Sequence, residues 1–209
     1  EHFADAYAVA TVEEGLIVRK GSKKPVLLFG PVPKDKIIPA AENNLTFTVG
    51  SLEYAKRLAA VLRTAGLKAC CHLKVDTGLN RSGIGVDTSF EQLKEHIRNS
   101  LYDLQQLVFT GSYTHFACGE GTESWELTFT QQQFKKFQLF LNRLRDNNFP
   151  IGVCHCCSTG GALVHPEYRL DMVRLGMMPL GMSYSDESVR ELGLKPVAKW
   201  ISYIAQIKD

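Results

Sequence analysis

The chain has 209 residues, a net charge of +2, and 44% apolar against 22% charged residues, the profile of an ordinary soluble globular protein with a sizeable core. So small a charge, with no long basic run, gives no electrostatic case for nucleic acid or a membrane surface as partner. No apolar stretch is long enough to span a bilayer, and the opening Glu1-His2-Phe3-Ala4-Asp5 has neither an initiator methionine nor the regions of a signal peptide.

Strand-like and helix-like segments alternate along the chain. Residues 7–10 read as a strand, and Thr11-Val12-Glu13-Glu14 has capping-box spacing that opens a helix to about residue 20. The apolar run 26–29 stops at Gly30-Pro31, a short helix over 34–42 follows, and 46–49 is another strand. Ser51 caps a helix with Leu52, Ala55, Leu58, Ala59 and Leu62 on one face. The β-leaning run 69–75 comes next, then a second capping box, Thr88-Ser89-Phe90-Glu91, heading a helix that aligns Phe90, Leu93 and Ile97. A strand over 107–116 leads into Gly119-Glu120-Gly121. Thr128 and Gln131 again have box spacing ahead of a long helix carrying Phe134, Phe137, Leu141 and Leu144. A strand over 152–157, a short helix over 160–164 and a last strand over 171–173 complete the series.

Seven strands separated by helical patterns imply βαβ units and a parallel sheet. With no GxGxxG after the first strand, an α/β fold of the TIM type fits better than a doubly wound sheet. A closed (β/α) barrel needs eight strands, so the first βα unit is expected to be missing. The stretch after Pro196 (Val197, Trp200, Ser202, Ile204, Gln206) alternates like the first strand of a separate β-domain. The expected organisation is a barrel over 1–195 and the start of a C-terminal β-domain over 196–209, cut at both ends.

Six cysteines stand at 70, 71, 118, 154, 156 and 157. Adjacent pairs in β-runs cannot bridge without strain, so they read as small buried hydrophobes in a reducing cytoplasm. Cys154-His155-Cys156-Cys157 raises zinc, but strand alternation sends neighbours to opposite faces, whereas zinc needs converging ligands; no metal is expected.

The densest chemistry lies in His72-Leu73-Lys74-Val75-Asp76-Thr77-Gly78-Leu79-Asn80-Arg81-Ser82-Gly83-Ile84-Gly85. Here a strand ends in a turn that gathers a lysine, a carboxylate and an arginine where α/β folds hold ligands. Arg81 is permanently charged and forks onto carboxylates, which suggests a small anionic substrate, while a surface salt bridge is the plain alternative.

Further stretches fall in a matching order: Thr114-His115-Phe116-Ala117, the run 155–163, and Asp171-Met172-Val173-Arg174 with Gly176. Together with the first they resemble the barrel domain of alanine racemase, over nearly the whole chain. The resemblance implies pyridoxal 5'-phosphate as cofactor, interconversion of L- and D-alanine for cell-wall peptidoglycan precursors, a cytoplasmic setting, and a homodimer in the full-length form. It places Thr159, Ser158, Gly176 and Met177 around the phosphate ester, Thr159 being also a helix N-cap. It places Arg174 against the pyridine nitrogen, which an arginine leaves unprotonated because it does not release its own proton. Such a ring is a weak electron sink, which limits side reactions. The plain alternative for Arg174 is a buried ion pair with Asp171. His115 and His155 match histidines flanking that arginine. Arg81 matches the residue that orients the substrate carboxylate, and Lys74 a lysine often carbamylated in the family.

The chain also departs from the family pattern. Ser158 stands for the usual Asn, Thr159 for Ser and Leu175 for Pro, and Cys118-Gly119-Glu120 differs from the usual loop. These changes leave a serine racemase of the same fold as the near alternative. The family's cofactor-linking lysine lies in a Lys-Ala-Asn-Ala-Tyr-Gly motif that these residues do not contain, and none of Lys20, Lys23 or Lys24 follows a suitable strand. The second base, a tyrosine, comes in the family from the partner's β-domain. Racemisation needs a base on each face of the α-carbon, so the expectation is a fragment inactive alone. A non-catalytic cofactor-binding barrel protein and a zinc module on the Cys154–Cys157 cluster are the rivals from other classes.

Overall fold

The computed structural model describes residues 4–86, 94–95, 97–183 and 186–208. Its strands are β1 (Tyr7–Val9), β2 (Val26–Leu28), β3 (Thr46–Val49), β4 (Ala69–Asp76), β5 (Ile84–Gly85), β6 (Leu107–Tyr113) and β7 (Val153–His155). They form one sheet in the order β1-β2-β3-β4-β6-β7, with the short β5 added to β4. Every pairing is parallel. The sheet curls into an incomplete TIM-type (β/α) barrel.

Helices α1 (Val12–Gly21), α2 (Ile37–Glu42), α3 (Leu52–Thr64), α4 (Ser124–Asp146), α5 (Thr159–Val164) and α6 (Asp186–Glu191) follow in turn. Local chemistry sets their starts. Thr11 accepts from Glu14 N at 3.2 Å while the Glu14 carboxylate accepts from Thr11 N at 3.3 Å, closing the expected box. Ser51 caps α3 in the same sense, accepting from Tyr54 N at 3.1 Å. α4 begins a turn earlier than the Thr128/Gln131 spacing predicts, on a box made by Glu123 and Glu126. The Thr128 hydroxyl donates instead to Ser124 O inside the helix, at 2.7 Å. The box at Thr88 and the helix positions Phe90 and Leu93 lie outside the described residues; Ile97 is fully buried.

One core lies between the outer face of the sheet and the helices. Phe47 and Val49 from β3, and Cys71, Leu73 and Val75 from β4, meet Leu58, Leu62, Phe137 and Leu144 there. Burying each large apolar side chain supplies roughly 1.5–3 kcal/mol. The alternate residues on the same strands face the barrel interior, and that face is polar. The register puts Thr48 beside His72 and His72 beside Gly111, then Lys74 beside Tyr113 and Tyr113 beside His155.

A β-bulge makes those layers possible. Cys71 pairs with Phe109 but His72 pairs with Gly111, so Thr110 is an extra residue in β6. Leu107 and Phe109 belong to the helix-side core, whereas Gly111 and Tyr113 share the register of the inward His72 and Lys74. One inserted residue has turned the end of β6 over. The chain preceding β7 fits under the bulge only because residue 152 is glycine. Its φ is +58°, and a Cβ there would fall 2.1 Å from the Thr110 carbonyl.

Two expected strands are not formed. Residues 171–173 run alongside β7, with Asp171 N donating to Cys154 O at 3.1 Å and Arg174 N to Cys157 O at 3.0 Å. The Asp171 carboxylate takes the Cys154 N–H at 2.8 Å, so a side chain replaces the carbonyl of a true ladder partner. Residues 198–208 have no regular secondary structure. Trp200 and Tyr203 stand 96% and 89% exposed, because an alternating segment becomes a strand only where a neighbour supplies hydrogen bonds.

Candidate functional site

The strand ends converge on Arg174. Its Nη1 lies 2.7 Å from His155 Nδ1, and its Nη2 lies 3.0 Å from His115 Nδ1. Nη2 also donates to Thr114 O at 3.0 Å and Cys156 O at 2.9 Å. The guanidinium sits 5.4 Å above the Tyr113 ring, and the His155 ring stacks on Tyr113 at 4.8 Å and 6°. Asp171, which faces Cys154 N, is not Arg174's partner.

Guanidinium chemistry fixes the histidine protons. Arginine only donates, so both Nδ1 atoms must accept and both rings carry their proton on Nε2. His155 then donates from Nε2 to His72 Nδ1, 3.0 Å away. Burial pushes His155 down to about 2, helped by the charge of Arg174 and by His72. Burial, followed by Arg174, Arg81 and Lys74, pulls His115 to about 4. Burial alone takes His72 to about 4. All three rings are neutral near pH 7.

The loop after β4 is built by Asp76, whose Oδ1 accepts from Gly78 N at 2.9 Å and Asn80 N at 3.1 Å. Gln133 of α4 ties it down from outside, donating to Thr77 Oγ1 at 3.3 Å and accepting from Ala117 N at 2.9 Å. Thr77 in turn meets Thr114 at 2.9 Å. This bracing leaves Arg81 exposed on the loop. Lys74 is 4% exposed and donates to Ser82 Oγ at 2.6 Å. Burial first, then the charge of Arg81, holds the Lys74 amine below its ordinary value.

The remaining expected residues gather at the start of α5. Thr159 is buried, and its Oγ1 accepts from Gly176 N at 3.0 Å. Ser158, and not Thr159 as expected, is the N-cap of α5, without a side-chain capping bond, because the helix already begins at Thr159; Met177 precedes the turn Met178–Leu180. Of the expected residues, the structure bonds Arg174 to His115 and His155, and Thr159 to Gly176. No such bond joins Lys74 to Arg81 among the described residues. The cysteine run splits: Cys156 and Cys157, beyond the end of β7 and so not alternating as expected, both turn to Tyr168 O, at 3.0 and 3.3 Å, while Cys154 turns to Gly152 O. Among the described residues no group of three His, Cys, Asp or Glu side chains is placed to hold a metal.

Sequence reasoning missed His72, Tyr113 and Gln133. His72 and Lys74 are two apart on one strand and so share a face, a signal that was available. Tyr113 could not be found by parity, because the bulge reverses it.

The chain matches the family described as alanine racemase, N-terminal domain, over residues 1–184. It belongs to the alanine racemase family. An alanine racemase of Methanococcus maripaludis is 34% identical over 100% of this chain and 55% of its own length. One from Desulforamulus reducens is 36% identical over 98% of this chain and 54% of its own. The structure of the Clostridium difficile alanine racemase in complex with cycloserine superposes with a TM-score of 0.82 at 28% identity, over 93% of this chain and 52% of that one. The chain thus spans about half the length of the curated relatives it matches.

Alanine racemases depend on pyridoxal 5'-phosphate, and the donors of this chain fit such a group. The Thr159 hydroxyl already accepts from Gly176 N, so its own proton is free to point outward at an anion. A Cβ on Gly176 would meet nothing within 4 Å, so space lies open there. Both Nη atoms of Arg174 are engaged, and among the described residues its Nε donates to no acceptor. Nε, together with the second N–H of Nη1, thus remains available as a cationic donor.

Proposed function

We propose that this chain forms the pyridoxal-phosphate pocket of an alanine racemase, interconverting L- and D-alanine to supply peptidoglycan precursors in the cytoplasm as part of a homodimer. The observation carrying this reading is Arg174, immobilised by histidine and carbonyl acceptors on the barrel's strand ends with its Nε left over. The cofactor, when bound, supplies an electron sink for the proton lost from the substrate α-carbon. Arg174 would hold the ring by its nitrogen, and because its acceptors are neutral imidazoles and carbonyls, nothing there can hand the ring a proton. Thr159 through its free hydroxyl proton, with the amide of Met177 and the neighbouring Ser158, would hold the phosphate, while Gly176 fixes the Thr159 hydroxyl with its own amide.

Arg81, exposed at the mouth and able to fork onto a carboxylate, would orient the substrate. Lys74 would brace Arg81 after carbamylation. Its lowered pKa favours the free amine, whose nitrogen bonds to the carbon of CO₂ while a proton leaves to water, giving an anion beside the Arg81 cation. Intact-mass spectra recorded with and without bicarbonate should show the added CO₂ on the wild type and not on Lys74→Ala. Identical spectra for the two would remove that part of the proposal. The two racemising bases are assigned outside these 209 residues, so the chain alone is expected to bind cofactor without turnover.

Titration of the chain with pyridoxal phosphate, followed by fluorescence, tests the pocket. Wild type should saturate, and Thr159→Ala should bind roughly ten- to a hundredfold more weakly, the worth of a hydrogen bond to a charged group. A wild-type chain that fails to bind, or a Thr159→Ala chain that binds equally well, would overturn the reading. Racemisation of L-alanine against L-serine by the full-length protein distinguishes the serine alternative.

A further inference from the structure

We propose that His72 is a positioning residue that locks the ring of His155 with its Nδ1 lone pair facing Arg174. The consequence for the cofactor rests on the functional reading above; the lock itself is a property of this chain. Two ring nitrogens 3.0 Å apart share one proton, and its direction is forced. Arg174 can only donate to His155 Nδ1 at 2.7 Å, so His155 carries its proton on Nε2 and His72 must accept it. A half-turn of the His155 ring about its Cβ–Cγ bond would present carbon atoms to both Arg174 and His72. Buried donors would then be left without acceptors, which is costly. While His72 accepts, only one orientation satisfies every group. Donation from Nε2 also enriches Nδ1, making it a better acceptor for the guanidinium.

The fold provides a dedicated seat for the His72 ring. A Cβ at residue 111 would lie 2.6 Å from its Cε1 and Nε2 and 2.7 Å from its Cδ2, so the ring fits only against glycine. Gly111 faces His72 because of the bulge at Thr110. The rings of His72 and His155 cross at 58° with centroids 5.2 Å apart, an in-line hydrogen-bonding approach rather than a stack.

Nitrogen-15 NMR of histidine-labelled, cofactor-free chain reads the lock directly, in wild type, His72→Asn and His72→Phe. Asparagine keeps a carbonyl acceptor near the place of Nδ1, and phenylalanine keeps the ring shape without an acceptor. Wild type and His72→Asn should each show a single His155 state protonated at Nε2, whereas His72→Phe should show exchange between states. Titration with pyridoxal phosphate should then weaken about tenfold in His72→Phe and stay within about threefold of wild type in His72→Asn. A His155 protonated at Nδ1 in wild type overturns the proposal, even if His72→Phe does not fold. One unchanged His155 state across all three chains overturns it as well. If the NMR behaves as expected but no chain binds pyridoxal phosphate, the lock stands and the functional reading falls.

Discussion

Replacing Arg174 with methionine is expected to lower the unfolding free energy by about 3 kcal/mol, because several buried acceptors lose their donor at once. Methionine is apolar and flexible, and losing the guanidinium relieves its own desolvation. That gain is outweighed because the acceptors stay behind. The carbonyls of Thr114 and Cys156 and the Nδ1 atoms of His115 and His155 all face the vacated donor positions. An unsatisfied buried polar group costs about 1–3 kcal/mol, and water entering from the mouth recovers part of that. Urea unfolding gives the loss as a shift in midpoint at constant slope.

A second readout separates electrostatics from packing. With the cation gone, the pKa values of His155 and His115 should rise, because Arg174 is among the causes holding both down. They should stay below the ordinary 6.5, because burial is the larger cause. An Arg174→Met chain with an unshifted urea midpoint and unshifted histidine titrations would show that the network does not exist in solution.

Acid is expected to destabilise the fold well above the pH at which carboxylates titrate. His72 and His115 are held at about 4 and His155 at about 2, each below the unfolded value of 6.5. Above pH 6.5 the rings are neutral in both states and nothing is lost. As pH falls below 6.5 the unfolded chain binds protons that the native rings refuse, so stability falls. Each ring loses about 1.4 kcal/mol per pH unit until its native value is reached. At pH 5.5 the three together come to about 4 kcal/mol, a large share of a domain's stability. Urea midpoints measured from pH 7.5 to 5 should fall steeply, and His72→Asn should flatten the slope by about one ring's worth. A midpoint constant down to pH 5 would mean that the native rings take up protons as readily as the unfolded chain does.

Much of the fold was readable because it follows from local rules. Residues 46–49 and the capped helices after Thr11 and Ser51 lie where alternation and capping spacing put them. The last expected strand failed for a reason invisible in sequence: Asp171 uses its side chain on the backbone of β7. The early start of α4 reflects competition between two plausible boxes, decided by Glu123 and Glu126. Within the site, Arg174, His115 and His155 were named through the family resemblance, and so were Thr159 and Gly176. The acceptor on the far side of His155 was not: spacing puts His72 on the face of Lys74, but does not say that its partner lies 83 residues away.

The order of most strands and helices and the polarity of most strand faces are written along the chain, because each depends on neighbours within a few positions; the residues expected to hold an anionic cofactor came from the family resemblance. The direction of the protons through His155 to His72, the inward turn of Tyr113 and the burial of Lys74 are not written there. They depend on which strands become neighbours and on one extra residue at Thr110, and only packing the sheet brings those groups within bonding distance and out of water.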